Sequence, residues 1–156
     1  MEASTHLMEA STHLMDRELI SKTSIAINAP IAKVWDALIN PDVITQYFFG
    51  AEVVSGWKEG SLIIFRGEYQ GNKYEEKGVL LHVKPESLLQ YTHWSHFDEL
   101  PDAPENYRTW TFRLSEEDTQ VLLSITEDNI PTEKKRERSD EFWTGVLATI
   151  KQLLET

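Results

Sequence analysis

The stretch from Ser139 to Glu155 reads S-D-E-F-W-T-G-V-L-A-T-I-K-Q-L-L-E, and it decides the fold. Apolar residues recur in it at the spacing of one helix face, while Lys151, Gln152 and Glu155 fall outside that stripe. The stripe consists of Phe142, Trp143, Val146, Leu147, Ile150, Leu153 and Leu154. A helix with so wide an apolar face must be covered. Because most of the preceding chain has strand periodicity, the sequence predicts a sheet as the cover and a site in the space between helix and sheet.

The composition limits the class of protein. The chain of 156 residues has a formal charge of -11 at pH 7, which would repel nucleic acid and anionic lipid surfaces. It has no cysteine, so disulfides and thiol catalysis are excluded. No apolar run approaches the length of a membrane span, and no signal peptide is visible. We therefore expect a cytoplasmic protein that binds neither nucleic acid nor membrane, either a monomer or a homodimer.

The first fourteen residues are a perfect duplication. Residues 1–14 read Met-Glu-Ala-Ser-Thr-His-Leu twice, which is typical of a remnant of an expression vector rather than of a folded segment. His6 and His13 are excluded from any site together with it. Residues 15–156 suit one domain with a real core, and nothing in the middle of the chain resembles an interdomain linker.

The remaining chain alternates between helix and strand signals. A strand is predicted from Ser21 to Asn28, followed by a short helix that begins after Pro30 and a second from Pro41 to Phe49. From residue 51 onward, apolar residues recur at every second position, which is the period of a strand, instead of at helical spacing. Strands are predicted at Glu52 to Ser55, Ser61 to Gln70, Tyr74 to Lys84, Leu88 to Trp94, Tyr107 to Leu114 and Gln120 to Glu127, with a hairpin signal at Gly71-Asn72.

The strand from Tyr107 to Leu114 shows how the sheet is covered. Trp110, Phe112 and Leu114 alternate there with polar residues, so one face is apolar and the other is wet. This pattern predicts an antiparallel sheet with one covered face. The basic residues at 134–138 would oppose the dipole of a helix beginning there, so we expect the last helix to begin near Ser139, with a helical basic stretch as the alternative.

Three stretches resemble the activator-of-Hsp90-ATPase-like family. They are A-P-I-A-K-V-W-D-A-L-I-N-P-D at 29–42, G-V-L at 78–80 with K-P-E-S-L-L-Q-Y-T-H-W at 84–94, and the closing helix with its Phe142-Trp143 pair. That family belongs to the START-like (SRPBCC) superfamily, which has the birch-pollen-allergen fold. The resemblance implies an α+β helix-grip fold: a curved antiparallel sheet of about seven strands wrapped around a long C-terminal helix, with two short helices after the first strand.

The same resemblance implies three alternative functions. The favoured one is a protein that binds a small apolar or aromatic ligand in the cavity between the sheet and the C-terminal helix, with few polar groups converging on the ligand. The second is a cyclase-type or hydrolase-type enzyme, whose cavity would have a polar floor and a residue with a perturbed pKa. The third is a regulator of a chaperone partner, which would have a filled cavity and a large exposed patch. No cofactor is implied.

The candidate ligand-binding residues are mostly aromatic. Large aromatic side chains with polar tips suit a ligand of aromatic or lipid-like character. The predicted set is Phe48, Phe49, Phe65, Tyr69, Tyr91, His93, Trp110, Phe112, Phe142, Val146 and Ile150. The alternative is that these residues simply fill the core.

His93 is the best candidate for acid–base catalysis, because the ordinary pKa of histidine is near neutral and it shares a strand face with Tyr91. No nucleophile can be placed beside it. Glu68, Glu75 and Arg108 are candidates for contributing charge in the cavity, and all three fit an exposed sheet face equally well. The cluster around His93 and His96 is a weak metal motif, and no metal is predicted.

The segment from Ser95 to Asn106 is acidic and interrupted by prolines. Its length is more typical of a functional or mobile loop than of a simple connection. It is a candidate lid over the cavity, and a solvated loop without function is the alternative.

Overall fold

A computed structural model describes residues 19–156, so the duplicated heptads with His6 and His13 lie outside the described residues. The elements occur in the order strand, two short helices, six strands and one long helix. Their bounds are β1 Leu19–Ile27, α1 Ile31–Ile39, α2 Pro41–Tyr47, β2 Glu52–Ser55, β3 Leu62–Tyr69, β4 Asn72–Lys84, β5 Leu88–His93, β6 Arg108–Glu117, β7 Gln120–Ile130 and α3 Glu133–Leu154.

The strands form one antiparallel sheet of seven strands in the order β1-β7-β6-β5-β4-β3-β2. β1 and β2 are therefore its edges. α3 packs across the covered face against β1 and β7, and α1 and α2 close the same side. This arrangement confirms the predicted helix-grip fold. None of the described helices is long and apolar enough to cross a membrane.

The core lies between the sheet and the C-terminal part of α3. Trp143, Leu147 and Ile150 from the helix are almost completely buried there, opposite Phe112 and Ile125 from the sheet. Burial of each such side chain contributes about 1.5–3 kcal/mol relative to an exposed one. The amphipathic stripe therefore anchors the helix to the sheet.

The predicted beginning of the last helix is wrong. α3 starts at Glu133, six residues before Ser139, because the Thr132 hydroxyl accepts a hydrogen bond from the backbone N–H of Lys135 at 3.2 Å. Glu133 also supplies a negative charge in the first turn, which offsets the effect of the basic residues that follow. As a result, the basic stretch is helical and forms the N-terminal half of α3.

Two further boundaries differ from the prediction. The central residues of the β3–β4 hairpin are Gln70 and Gly71, both with positive φ, and not Gly71-Asn72. β6 extends beyond the predicted end at Leu114, since it pairs with β7 through polar residues up to the tight turn at Asp118. β7 extends beyond Glu127 to Ile130, which pairs with Leu19 of β1. Hydrophobic alternation alone does not mark the end of a strand whose tip is solvated.

Gly78 lies where β4 changes partners. β4 pairs with β3 up to Val79 and with β5 from Leu80 onward. At the crossing, the Thr92 carbonyl oxygen of β5 lies 1.6 Å from the place that a Cβ on Gly78 would occupy. Only glycine permits this close approach of the two backbones. The crossing also brings Glu76 of β4 to the covered face next to β5.

We predict that Gly78→Ala lowers the free energy of unfolding by about 1–3 kcal/mol, because the new methyl group must push two backbones apart. Gly145→Ala is the matched control: it lies on the exposed side of α3 with no atom within 4 Å of the added Cβ. The control should gain about 0.5–1 kcal/mol from helix propensity. Urea unfolding measures both, and equal stability of the two variants would contradict this account of the crossing.

Candidate functional site

A cavity of about 770 Å³ lies under the N-terminal half of α3. Its walls come from the inner face of β3 to β7, the segment after α2, and the segment after β5. The aromatic part of the lining consists of Phe48, Phe49, Phe65, Tyr69, Tyr74, Phe97, Trp110 and Phe142. The polar part consists of Glu76, His93, Ser95, Asp98, Glu99, Arg108, Glu127, Lys135, Arg138 and Ser139. The expectation that few polar groups converge in the cavity does not hold.

The predicted ligand-binding residues fall into two groups. Those that line the cavity are Phe48, Phe49, Phe65, Tyr69, His93, Trp110 and Phe142. Those buried in the core outside the cavity lining are Tyr91, Phe112, Val146 and Ile150. The reason is the position of the helix. Its C-terminal half lies directly on the sheet, so the side chains there fill the space between helix and sheet. Its polar N-terminal half does not lie directly on the sheet, and the cavity remains beneath it.

Exposed aromatic side chains mark the rim of the cavity. Phe49 is 81% exposed, Tyr69 57% and Phe97 51%. Phe97 contacts both Tyr69 and Tyr74 edge to face, with ring centroids 5.5 and 5.1 Å apart. On the other side of the rim, Phe142 lies against Phe49 at 5.9 Å. The rim is therefore apolar, although the floor is polar.

Glu127 forms the centre of the polar floor. Its Oε2 accepts hydrogen bonds from the indole Nε1 of Trp110 at 2.9 Å and from Arg108 Nη1 at 3.1 Å, and its Oε1 accepts one from the indole Nε1 of Trp143 at 3.0 Å. The residue is only 4% exposed. A buried carboxylate is costly unless its oxygens are paired, and here both are. One side chain thereby connects β6, β7 and α3.

Arg108 is the counterion of this floor. Besides Glu127, it pairs with Asp98, whose Oδ2 lies 2.9 Å from Nη2, and its Nη1 lies 3.5 Å from the Ser139 hydroxyl. Of the two alternatives for Arg108, charge in the cavity or an exposed sheet face, the second does not hold, since only 8% of the residue is exposed. Arg108 lies two residues before Trp110 on β6, so both side chains point to the covered face of the sheet.

Glu76 and His93 form a second buried pair. His93 Nε2 lies 3.2 Å from Glu76 Oε1, while Oε2 accepts hydrogen bonds from the Ser95 hydroxyl at 3.0 Å and the backbone N–H of His96 at 2.9 Å. Burial alone would raise the pKa of Glu76. The hydrogen bond and charge of His93, with the bonds from Ser95 and His96, outweigh burial, so the pKa of Glu76 lies below its ordinary value.

The imidazole of His93 is fixed by aromatic contacts as well. It stacks on Trp110 with ring centroids 3.8 Å apart and an interplanar angle of 18°, and Phe65 meets it edge to face at 5.3 Å. His93 is 4% exposed, whereas His96 is exposed on the surface. Among residues 19–156, no group of three or more His, Asp or Glu side chains is placed to hold a metal ion.

The segment from Ser95 to Asn106 closes one side of the cavity and is tied to the body of the protein. The Trp94 indole N–H donates to the carbonyls of Leu100 and Pro101, at 3.2 Å each. Lys77 pairs with Asp102 at 2.7 Å. Together with the Arg108–Asp98 pair, these contacts hold the segment in place. Whether it opens as a lid remains a prediction.

Sequence reasoning missed two of the floor residues, Glu127 and Glu76, and strand alternation would have found them. Glu127 continues the buried series of Val121, Leu123 and Ile125 along β7. Glu76 has the same alternation as Gly78 and Leu80 on β4, and Arg108 has that of Trp110 on β6. A charged residue at an inward position reads as the end of a strand when only apolar residues are counted.

We predict that Glu127→Gln lowers the free energy of unfolding by about 3–5 kcal/mol, because an amide group cannot accept from three donors and leaves the buried Arg108 with Asp98 as its remaining countercharge. The matched control is Glu75→Gln, which removes the surface pair with Arg66 and should cost less than about 1 kcal/mol. Denaturant unfolding compares them. A loss of stability no greater than that of the control would contradict the role given to Glu127.

The lowered pKa of Glu76 also predicts a pH dependence of stability. A carboxyl group whose pKa is depressed by folding stabilises the protein above its ordinary pKa of 4.5, and this contribution is lost as the pH falls through the lower folded value. Glu76→Gln removes this titration. We therefore expect the variant to be less stable than the native protein at pH 7 and to lose less stability on acidification below pH 4.5. Parallel stability profiles for the two proteins would contradict the assignment.

Comparison with known proteins identifies relatives of the chain. A family model described as Activator of Hsp90 ATPase homolog 1-like protein matches residues 28–155. The solution structure of ChR145 from Cytophaga hutchinsonii is 45% identical, with a TM-score of 0.78 over 88% of this chain and 94% of that one. None of the curated proteins matches the chain.

Two more distant structures share the fold. The Aha1 dimer from Colwellia psychrerythraea has a TM-score of 0.70 at 18% identity, over 88% of this chain and 96% of that one. DynU16, a protein of the dynemicin biosynthetic locus, has a TM-score of 0.72 at 16% identity, over 88% of this chain and 47% of that one. At these identities the likeness is one of fold alone.

Proposed function

The chain belongs to the Activator of Hsp90 ATPase homolog 1-like family, and on that premise we propose that it is a small-molecule-binding protein that holds an aromatic ligand in the cavity under α3. The observation that carries this proposal is the cavity itself. About 770 Å³ lies within the range of small-molecule sites, about 300–1,000 Å³. The space persists although the helix above it is anchored tightly to the sheet.

The lining supports a planar apolar ligand. Phe48 stacks on Phe142 with centroids 6.0 Å apart and an interplanar angle of 15°, and it meets Phe65 edge to face at 5.8 Å. These rings form a wall that a further aromatic ring extends by stacking, which contributes about 0.5–1.5 kcal/mol per pair beyond burial. The ligand contacts we propose are Phe48, Phe49, Phe65, Tyr69, Trp110 and Phe142, with His93 on the floor.

The carboxylates of the polar floor are already paired within the protein. Glu127 and Glu76 have both oxygens engaged by protein donors, so neither carboxylate needs a ligand to be satisfied. A preformed site of this kind avoids the ordering cost that binding otherwise incurs. This supports binding of an aromatic ligand that forms no ion pair with Glu127 or Glu76.

A second candidate function is that of a cyclase-type or hydrolase-type enzyme using the same cavity. The Glu76–His93 pair favours it, because a histidine held by a carboxylate is a common acid–base arrangement. The open cavity gives less support to a chaperone-regulating role, for which we expect a filled one. A chaperone partner, a homodimer such as that of the Colwellia protein, and a cytoplasmic location remain predictions.

The test of binding is the thermal stability of the protein in the presence of planar aromatic probes such as naphthalene derivatives. A probe at 100 times its Kd should add about 2.7 kcal/mol to the free energy of unfolding. Ser139→Trp places a large ring in the cavity and should abolish the shift, whereas Thr144→Trp, on the exposed side of α3, should preserve it.

A milder variant covers the case in which Ser139→Trp does not fold. Phe142→Ala removes one ring of the wall and should weaken probe binding about 3- to 12-fold, the equivalent of one aromatic pair. Leu153→Ala, a half-buried position of the same helix outside the cavity, should leave binding unchanged. Absence of a shift with every probe, or equal shifts in all variants, would contradict the proposal.

A further inference from the structure

One ring nitrogen in the cavity floor has no hydrogen-bond partner in the part of the chain that the structure describes. His93 lines the cavity, is 4% exposed, and directs Nε2 to Glu76 at 3.2 Å. Within residues 19–156, no group forms a hydrogen bond with its Nδ1. A ring nitrogen of a cavity-lining side chain that has no protein partner is available to a ligand atom.

The surroundings of His93 determine whether Nδ1 is a hydrogen-bond donor or acceptor. Glu76 is an anion near neutral pH because its pKa lies below the ordinary value, and its other oxygen is occupied by Ser95 and by the backbone of His96. The carboxylate can therefore only accept, which places the imidazole proton on Nε2. In its neutral form the His93 ring has one donor and one acceptor, so in that form Nδ1 carries the free lone pair.

The neighbouring polar groups do not compete for this role. The indole N–H of Trp110, next to the imidazole, donates to Glu127, and so do Arg108 and the indole N–H of Trp143. Arg108 is also the direct cross-strand neighbour of His93, but its guanidinium is held between Glu127 and Asp98. In this part of the floor, Nδ1 is an acceptor surrounded by aromatic rings.

We infer that the cavity takes an aromatic ligand that carries a hydroxyl group, and that His93 Nδ1 accepts a hydrogen bond from that hydroxyl. This inference rests on the proposed function and narrows its ligand class. The ring of the ligand lies against Phe65, Phe48 and Phe142, with its hydroxyl on the floor. An analogue with an ether in place of the hydroxyl fits the same wall but leaves Nδ1 unpaired, and the site discriminates against it for that reason.

The experiment compares 2-naphthol with 2-methoxynaphthalene by titration calorimetry at neutral pH. The native protein should bind 2-naphthol roughly 10-fold more tightly, the equivalent of one hydrogen bond in a buried site. His93→Phe keeps an aromatic ring against Trp110 but removes the acceptor, so the preference should disappear. His82→Phe, at an exposed position of β4, should retain it.

Each outcome bears on a different claim. Equal binding of the two probes by the native protein, or a preference that survives in His93→Phe, would overturn the inference while leaving the binding cavity intact. Failure of both probes to bind would overturn the proposed function, and this inference with it.

Nitrogen-15 NMR of the native protein tests the same claim without a substitution, in case His93→Phe does not fold. The His93 ring should show a protonated Nε2 and an unprotonated Nδ1, and 2-naphthol should shift the Nδ1 resonance more than 2-methoxynaphthalene does. Glu76 acts here as a positioning residue. In Glu76→Gln the two tautomers should mix, because an amide both donates and accepts. A protonated Nδ1 in the native protein, or an Nδ1 resonance that 2-naphthol leaves unchanged, would overturn the inference.

Discussion

The buried carboxylate of Glu127 is the interaction on which the site depends. It joins Arg108 and Trp110 of β6 to Trp143 of α3 through three hydrogen bonds. Without these donors the charge could not remain in a position that is only 4% exposed. Networks of this kind fix one arrangement of the elements, because every member needs its partners. The hydrogen bonds of Glu127 therefore fix the position of α3 over the sheet.

The helix consequently has two functions along its length. Its C-terminal half carries the apolar stripe and packs on the sheet, so that Val146 and Ile150 are almost completely buried. Its N-terminal half is polar and lies over the cavity, to which it contributes Lys135, Arg138 and Ser139. The division falls near Trp143, whose ring is buried and whose N–H reaches Glu127. A cavity can persist at one end because the other end is firmly anchored.

The chemistry of the floor separates groups that maintain structure from groups left for a ligand. Glu127, Arg108 and Glu76 are engaged by protein partners. His93 is held on one side by Glu76 and on its face by Trp110, and this leaves Nδ1 toward the cavity. A side chain fixed in this way can recognise a ligand atom at little entropic cost, since its orientation is set before binding. The aromatic rim then accounts for the apolar body of the ligand.

Much of the fold could be predicted from periodicity, whereas the polar floor could not. The apolar stripe of the last helix and the alternation of Trp110 and Phe112 define a helix on one face of an antiparallel sheet, as observed. The floor is not predicted because residue type leaves the position of a charged residue such as Arg108 open between cavity and surface. Their inward positions follow from strand alternation, but their stability depends on partners distant in sequence, such as Glu127 and Ser139. That information lies in the tertiary structure.

The most direct test of the account is a two-dimensional nitrogen–proton NMR titration of the native protein with 2-naphthol, followed through the indole N–H signals. The ring of Trp110 lines the cavity, while Trp57 lies outside its lining. The account predicts that the Trp110 signal shifts with ligand and saturates, and that the Trp57 signal stays in place. Shifts confined to Trp57 or to surface amides, with Trp110 unchanged, would contradict the claim that the cavity under α3 is the binding site.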